Sequence, residues 1–525
     1  MQEEPMTTNQ PGSDIADISA QQSGVLLVSI MLVAACGIAY ELIISTVSSY
    51  LLGDSVVQFS LTIGLFMFAM GSGSYLSKLI GEKRLIENFI LVEMAIAMVG
   101  GVCSICLFVV FAALNPFYKT VMYSFIMIIG VLVGLEIPIL TAILSKRESL
   151  RKSLAHVLSL DYVGALIGSV AFPLFLLPTL GLIRTSFAVG LVNILTALVT
   201  LLFFRKSIAR SGLWIAGCVA ILIAMIAFVI GGTFLSRYAE KQLYFDQIIQ
   251  IEQTPYQRVV VTQNRTNNDH RLYIDGHIQF SSRDEHRYHE ALVHPVMAPA
   301  GPRENVLILG GGDGLAAREV LKYQDVKQID LVDIDPAISR LAQELPLLRK
   351  LTAGSFDDPR LKLHHQDAFI FINKPGTLYD RVIIDMPDPH NEVLNKLYSR
   401  EFYTMIKRRM NPDAILVSQS SSPFFTRRTF WCIEKTLADV FTDTDSYHVT
   451  IPSFGVWGFN LAGNALPDNS QLPLTVETRY LDSDVMQAAL VFGKDMDKID
   501  MPVNSIMEPV LYQLYIDDLN SPVAN

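Results

Sequence analysis

The stretch Val306-Leu-Ile-Leu-Gly310-Gly311-Gly312-Asp313-Gly314 decides the fold of this chain. An apolar run leads directly into a glycine-rich loop, and the residues from Leu315 to Tyr323 have the pattern of a helix. Glycines allow the backbone to turn tightly and to approach a ligand, and the free N–H groups of a helix N-terminus can face that ligand. A strand, a glycine loop and a helix in this order predict a unit of a parallel α/β sheet.

The next strand, Ile329-Asp-Leu-Val-Asp333, ends in a carboxylate twenty residues after Asp313. A carboxylate at this place can accept hydrogen bonds from both hydroxyls of a ribose. Asp313 stands inside the glycine loop and would repel a phosphate there. The segment therefore predicts a nucleoside site, and it favours an uncharged or cationic nucleoside, such as a sulfonium, over a dinucleotide.

Two further strands also end in acidic residues. Leu361-Lys-Leu-His-His365 leads to Asp367-Ala368, and Tyr379-Asp-Arg-Val-Ile-Ile384 leads to Asp385-Met-Pro-Asp388-Pro389. Ligands of open parallel sheets bind beyond the carboxyl ends of the strands. We therefore expect five aspartates to converge on one crevice: Asp313, Asp333, Asp367, Asp385 and Asp388.

Such a cluster of carboxylates would raise the pKa values of its own members unless a cation neutralised it. A metal ion and a polyamine are the two candidates, and histidines in metal-ligand spacing are missing, so no metal is expected. The formal net charge of −10 fits a cationic ligand, although it also serves solubility. Nucleic acid is not expected as a partner, because no basic stripe is present.

The N-terminal half has a different composition. About 20 apolar residues suffice to cross a bilayer, and seven runs qualify: 24–45, 56–79, 88–112, 121–144, 157–178, 182–204 and 213–235. The first is not a cleavable signal, because it has no basic segment before it and further runs follow. Four acidic residues lie within or beside these runs, and each is expected to face the bundle interior or an interface: Glu41, Glu93, Glu136 and Asp161.

At this point the C-terminal half resembles the polyamine aminopropyltransferases, the spermidine synthase family, and the apolar half resembles its membrane-anchored, multi-pass branch. The segments that carry the resemblance are Tyr256-Gln257, Asp275 to Gln279, Asp284-Glu285 with Tyr288-His289-Glu290, Gly310 to Gly314, Asp333-Ile-Asp335, Asp357 to Arg360, Asp367, and Asp385 to Pro389 with Phe402-Tyr403.

The resemblance implies polyamine biosynthesis: transfer of an aminopropyl group from decarboxylated S-adenosylmethionine, a co-substrate, to putrescine or a related diamine. The products would be spermidine and methylthioadenosine, and no tightly bound cofactor is expected. It implies that Asp385 is the proton acceptor. The amine would be held by His289, Asp313, Asp388 and Tyr288. The nucleoside would be held by Gln257, Gly310, Gly312, Asp333, Asp367 and Ala368.

Three places depart from the pattern of soluble members. His390-Asn-Glu-Val-Leu394 stands where those members have a glycine and a proline that cover the nucleoside. The usual Asp-Gly reads Asp367-Ala368, and Phe454 stands where a tyrosine is usual. These changes leave the preferred amine open.

The predicted fold class is a multi-pass α-helical membrane domain followed by an α/β domain. The latter would combine a small β-hairpin subdomain with a Rossmann-like sheet of the class I methyltransferase type. The expected segments are a polar tail (1–22), a transmembrane domain of about seven spans (23–236), the β-strand subdomain (245–300), the catalytic domain (301–500) and a C-terminal tail (501–525).

The sequence gives two conflicting indications of the side of the membrane on which the catalytic domain lies. Basic residues follow the second, fourth and sixth runs, which places those loops in the cytoplasm. A seventh span would then place the catalytic domain outside, although its nucleoside donor is made in the cytoplasm. We expect a multi-pass protein of the cell (inner) membrane with a cytoplasmic catalytic domain. The expected partners are the bilayer, the two small molecules and, as in soluble members, a second copy in a homodimer.

Two other functions remain open from the sequence. One is an S-adenosylmethionine-dependent methyltransferase on the same sheet, which would need room for the carboxylate of its donor. Asp313, Asp385 and Asp388 disfavour that carboxylate. The other is a membrane carrier or sensor whose soluble domain only binds polyamine, which the acidic residues of the apolar half motivate.

Overall fold

The computed structural model describes residues 18–52, 55–81, 84–244, 246–254 and 256–520. The chain divides into two compact units, Met1–Phe245 and Asp246–Asn525. Residues 1–17 of the predicted N-terminal tail and 521–525 of the predicted C-terminal tail lie outside the described residues.

The first unit is helical. Its helices are α1 (Ala20–Leu52), α2 (Ser55–Leu76), α3 (Leu85–Ala113), α4 (Tyr118–Leu144), α5 (Leu150–Ala171), α6 (Leu177–Phe204) and α7 (Ser211–Leu243). A π-helical turn, Phe172–Leu176, joins α5 to α6. Within the described residues, six helical segments are long and apolar enough to cross a membrane by length and composition. The sequence predicts about seven, because it divides the fifth segment, Leu150–Ser207, into two runs.

The fifth segment has 58 residues, about twice the length of one crossing. Its first part, α5, runs in the same direction as α1. Gly164 lies against the backbone of Met31, and Gly168, one turn later, lies against the backbone of Ala35. Residue numbers therefore rise together along the two helices.

The second part, α6, runs opposite to α1. Ser29 and Thr200 are within hydrogen-bonding distance at 3.4 Å, and Cys36, two turns further along α1, contacts the carbonyl of Val189. Gly181 lies near the start of α6 with a non-helical φ of 71°. The chain therefore reverses direction between α5 and α6. The number of crossings stays a prediction, and this reversal favours seven.

Acidic side chains are found inside the helical unit. Glu41, Glu93 and Glu136 are buried, whereas Asp161 is half-buried. Glu93 of α3 accepts a hydrogen bond of 2.8 Å from the amide of Asn193 on α6. A buried carboxyl group needs such a partner, because burial of an unpaired polar group costs about several kcal/mol of folding free energy.

The second unit begins with a four-stranded antiparallel sheet, in the order β1-β2-β3-β4. Its strands are β1 (Gln247–Gln253), β2 (Arg258–Asn264), β3 (Asp269–Ile274) and β4 (His277–Ser281). The predicted strands that start at Arg258 and Arg271 are confirmed as β2 and as part of β3. Helix α8 (Glu285–Met297) follows, and all its residues from Tyr288 to Met297 are buried.

A seven-stranded sheet forms the centre of the second unit. Its strands are β5 (Asn305–Gly310), β6 (Gln328–Asp333), β7 (Leu361–His365), β8 (Tyr379–Asp385), β9 (Met410–Gln419), β10 (Asp443–Ile451) and β11 (Gly455–Gly463). Their order is β10-β11-β9-β8-β5-β6-β7. Strands β5 to β9 pair in parallel, and the hairpin β10–β11 adds antiparallel to β9.

Helices connect and cover these strands. They are α9 (Leu315–Val320), α10 (Pro336–Glu344), α11 (Pro346–Leu351), α12 (Ala368–Asn373), α13 (Glu392–Asn395), α14 (Arg400–Lys407), α15 (Arg427–Val440), α16 (Ser483–Ala489) and α17 (Leu511–Asn520). The predicted α/β class is confirmed. Because β5 to β8 are parallel, the loops after their carboxyl ends meet at one edge of the sheet.

Candidate active site

The glycine loop after β5 lies against the ends of both neighbouring strands. Gly310 has a φ of 83°, and a Cβ atom there would collide with the backbone carbonyl of Asp385. A Cβ atom on Gly312 would collide with the carboxylate of Asp333, to which the Gly312 N–H donates at 3.0 Å. Only glycine fits at these two positions, so the loop backbone itself forms part of the crevice.

A cavity of about 370 Å³ lies at this edge of the sheet. All the site residues predicted from the sequence are among those that line it: Gln257, Tyr288, His289, Gly310, Gly312, Asp313, Asp333, Asp367, Ala368, Asp385 and Asp388. The structure thus brings them together, and their individual roles stay predictions.

His289 supplies a positive charge to the cavity. Its Nδ1 lies 3.0 Å from Oε2 of Glu285, one turn earlier on α8, and both side chains are buried. Burial alone would lower the pKa of His289, but the hydrogen bond and the charge of Glu285 outweigh it and raise the pKa to about 9. Arg318 binds both oxygens of Glu285, at 3.0 and 2.9 Å, and so fixes its position.

Asp313 and Asp385 lie near this imidazolium. Burial raises the pKa of Asp313 to about 6, and the charge of Asp385 adds to the effect, while His289 opposes it. Burial also raises the pKa of Asp385. The Tyr288 hydroxyl donates to Oδ1 of Asp385 at 2.7 Å, which orients the carboxylate at the end of β8.

Asp388 lies three residues further, in the loop after β8. Its Oδ2 accepts hydrogen bonds from Ser421 at 3.2 Å and from Tyr515 at 3.3 Å. Its Oδ1 is buried and has no partner among the described residues. Burial raises the pKa of Asp388 to about 6. The carboxyl group is therefore mostly ionised at neutral pH and can receive an ammonium group.

The carboxylates at the ends of β6 and β7 already bind protein groups. Asp333 accepts from the N–H groups of Gly312 and Asp335. Asp367 caps α12 through the N–H of Phe369 at 2.7 Å, and its other oxygen accepts from Lys396 at 2.8 Å. Each oxygen has a further lone pair, so both carboxylates can still accept from a nucleoside.

Several lining residues were not predicted from the sequence. His277, at the start of β4, stacks on His390 in the loop after β8, with ring centroids 4.9 Å apart. Lys396 binds Asp367, and Tyr515 of α17 reaches the cavity from the segment that the sequence assigns to a tail. His277 lies within the segment Asp275 to Gln279, and His390 and Lys396 follow Asp388 closely, but no residue pattern marked them as site residues. Tyr515 enters the site from a distant part of the chain. Only the altered sequence around His390 signalled a change there.

A family model matches part of the second unit, and solved structures are similar to about half of the chain. The family model described as "Spermine/spermidine synthase domain" matches residues 285–469. Two solved structures of spermidine synthase are similar to the chain at 25% identity and cover 48% of it. One is a complex with the transition state analogue AdoDATO (TM-score 0.44, 88% of that chain covered), and one is from Thermotoga maritima (TM-score 0.43, 87% covered).

Curated relatives match both units. A polyamine aminopropyltransferase of Oceanobacillus iheyensis is 42% identical over 95% of this chain and 98% of its own length. One of Leptospira interrogans is 41% identical, over 94% and 98%, and one of Mycobacterium tuberculosis is 36% identical, over 94% and 95%. Because these matches extend through the apolar helices as well as the cavity, the chain belongs to the polyamine aminopropyltransferase family and is a transferase.

Proposed function

We propose that this enzyme transfers the aminopropyl group of decarboxylated S-adenosylmethionine to putrescine or a related diamine, which yields spermidine and methylthioadenosine. The observation that carries the proposal is the position of Asp385, at the end of β8, in one cavity with Asp313 and Asp388. Three carboxylates against the single imidazolium of His289 leave a net negative charge, which suits a dication.

The donor is proposed to lie across the ends of β5, β6 and β7. Asp333 would accept from the ribose hydroxyls, and Asp367 and Ala368 would contact the adenine. Gln257 and the backbone of Gly310 and Gly312 would complete the nucleoside site. The donor acts as a co-substrate and leaves as methylthioadenosine, so no tightly bound cofactor is part of the proposal.

Asp385 is proposed to take the proton of the attacking ammonium group. The neutral amine then attacks the methylene carbon beside the sulfonium, a C–N bond forms and the C–S bond breaks with its electron pair on sulfur. Only the neutral amine has a free electron pair, so a carboxylate held in place by Tyr288 supplies the nucleophile. Asp388 and Asp313, with His289 and Tyr288, would hold the diamine in line with the C–S bond.

The location and the assembly are proposals as well. In the part of the chain that the structure describes, six apolar helical segments could span a membrane, and we propose a multi-pass protein of the cell membrane with lipid around the first unit. The second unit would lie on the cytoplasmic side, where the donor is made, and the enzyme would form a homodimer.

A choice of donors tests the proposed reaction. The purified full-length protein is incubated with putrescine and either decarboxylated or intact S-adenosylmethionine. We expect methylthioadenosine and spermidine from the decarboxylated donor alone. Methylated putrescine from the intact donor, without methylthioadenosine, would instead identify a methyltransferase.

The variant Asp385→Asn tests the assigned base in the same assay. Loss of a general base costs about 10²–10⁴-fold in rate, so we expect kcat to fall in that range. Asparagine keeps the size of the side chain and can still meet Tyr288, so methylthioadenosine should bind as before. Unaltered kcat would show that another group takes the proton.

A further inference from the structure

Helix α17 reaches the cavity from outside the matched family domain. The domain match ends at residue 469, and α17 spans Leu511–Asn520. The helix packs against α15 and α13. Tyr515, in its middle, is 5% exposed and lines the cavity together with Asp388. A residue far from the family motifs thus contributes to the wall of the site.

The far end of α17 is anchored by an ion pair. Asp518, whose side chain is 7% exposed, accepts from Nε of Arg428 at 2.6 Å. Its second oxygen accepts from both the N–H and the hydroxyl of Thr429, each at 3.1 Å. Arg428 and Thr429 form the first turn of α15, where unpaired N–H groups favour a carboxylate. These bonds fix the helix on the α/β unit.

The near end of α17 is anchored by two buried asparagines. The Asn504 side chain donates to the carbonyls of Asn395 and Tyr398 and accepts from the N–H of Leu511. Asn395, at the end of α13, accepts from the N–H of Tyr512 at 3.3 Å. Both ends of the helix are therefore held, and the ring of Tyr515 has a defined position.

Tyr515 meets the carboxylate that the proposed function assigns to the distal ammonium. Its hydroxyl donates to Oδ2 of Asp388, and among the described residues no hydrogen bond of ordinary geometry reaches Oδ1. Gln419 lies beside this carboxylate, and its amide binds Trp457 and Tyr398, which hold it in place. The tyrosine ring and Gln419 form a fixed wall around Asp388.

We propose that Tyr515 is a positioning residue that sets acceptor length: it orients Asp388 and closes the amine end of the cavity. The inference rests on the proposed function, because it takes Asp388 as the anchor of the distal ammonium. The acceptor class that fits is a diamine whose second ammonium reaches Asp388 and whose chain does not extend past Tyr515. Removal of the ring would admit longer amines.

Initial rates with putrescine, cadaverine and spermidine as acceptors test this inference on the full-length enzyme. For Tyr515→Phe we expect KM for putrescine to rise about tenfold, from loss of a hydrogen bond to a charged group, while kcat and the KM of the donor change little. For Tyr515→Ala we expect the ratio of kcat/KM for cadaverine over putrescine to rise about tenfold or more. Tyr512→Phe, on the same helix, is the matched control and should leave that ratio unaltered.

The outcomes separate the inference from the proposed function. If the wild-type enzyme forms methylthioadenosine and the Tyr515 variants keep its acceptor ratio and its KM for putrescine, the inference is wrong and the proposed function stands. If the wild-type enzyme forms none with any amine, both are wrong. Should Tyr515→Ala unfold at a lower temperature than the wild type, Tyr515→Phe decides alone, because it preserves the packing of the ring.

Discussion

The charges of the cavity depend on burial at the level of single residues. Asp385 lies at the end of β8, Asp313 and Asp388 lie in the loops after β5 and β8, and burial raises the pKa of each. Glu285 has the opposite shift: burial would raise its pKa, but His289 and Arg318 lower it to about 2. Glu285 therefore keeps His289 protonated at neutral pH, whereas the pKa values of Asp313 and Asp388 are raised to about 6.

This arrangement predicts the pH dependence of the reaction. Asp313 and Asp388 have pKa values raised to about 6, so each is charged above that pH and loses its charge below it. Since only the charged form attracts an ammonium, we expect kcat/KM for putrescine to fall as the pH falls through about 6. A pH–rate profile at saturating donor measures the effect.

The variant Asp388→Asn provides the control for that profile. It removes one of the two titrating groups, so the acid side of the profile should become less steep. At neutral pH the KM for putrescine should rise, which lowers kcat/KM. A profile that stays flat between about pH 5 and 7 would contradict the assignment of these groups to amine binding.

Residues of the site could be predicted from the sequence where they directly follow the end of a predicted strand. Asp333, Asp367 and Asp385 each follow an apolar strand, so their convergence follows from parallel pairing alone. Lys396 and Tyr515 have no such signal. Each comes from a helix whose docking depends on tertiary contacts, and no spacing in the sequence relates them to Asp367 or Asp388.

At the level of elements, the loop after β8 contributes His390 to the wall of the cavity. His390 stacks on His277 from β4, so the two sheets of the second unit meet at this side of the cavity. Burial and the nearby His277 lower the pKa of His390 to about 4. The ring is therefore neutral at physiological pH and can pack as an aromatic group.

We expect the stacked pair His277 and His390 to help retain the donor in the cavity. His390→Ala removes half of an aromatic contact and opens the cavity wall, so we expect KM for decarboxylated S-adenosylmethionine to rise up to about tenfold. His390→Phe keeps a planar ring and should stay within about threefold of the wild type. Equal KM values for the alanine and wild-type enzymes would show that the pair does not cover the donor.

The regular helices and strands could be predicted from the sequence more readily than the places where they end or where the chain reverses direction. The strands around the glycine loop have continuous apolar runs, which identify a sheet covered on both faces. The division of the segment into the runs 157–178 and 182–204 agrees with the reversal between α5 and α6, but the π turn keeps the backbone helical there, so the sequence does not show how the chain turns. Helix α17 is short and partly polar, and only its contacts with α15 and α13 make it stable.

At the level of the whole molecule, the number of helices that cross the proposed membrane determines the side on which the second unit lies. Three helices, α5, α6 and α7, separate the loop at Ser149 from the second unit. If all three cross, Ser149 and the second unit lie on opposite sides. The charges of the loops and the cytoplasmic origin of the donor cannot then both be satisfied.

Cysteine accessibility in whole cells resolves this conflict. Ser149→Cys and Asp495→Cys each add a thiol at an exposed position, and the native cysteines are buried or half-buried. We expect an impermeant thiol reagent to label Ser149→Cys in intact cells and Asp495→Cys only after permeabilisation. Labelling of Asp495→Cys in intact cells would place the second unit outside, and the unmodified protein gives the background.

The contact between Tyr515 and Asp388 also has a consequence for the synthesis of the polypeptide chain on the ribosome. The apolar helices and the strands that carry the aspartates are translated well before α17. A chain that ends after Pro509 would therefore contain the apolar helices and the strands that carry the aspartates but would lack the wall that α17 forms beside Asp388. Completion of the pocket thus coincides with translation of α17, so an unfinished chain lacks one wall of the site even after the rest of the fold has formed.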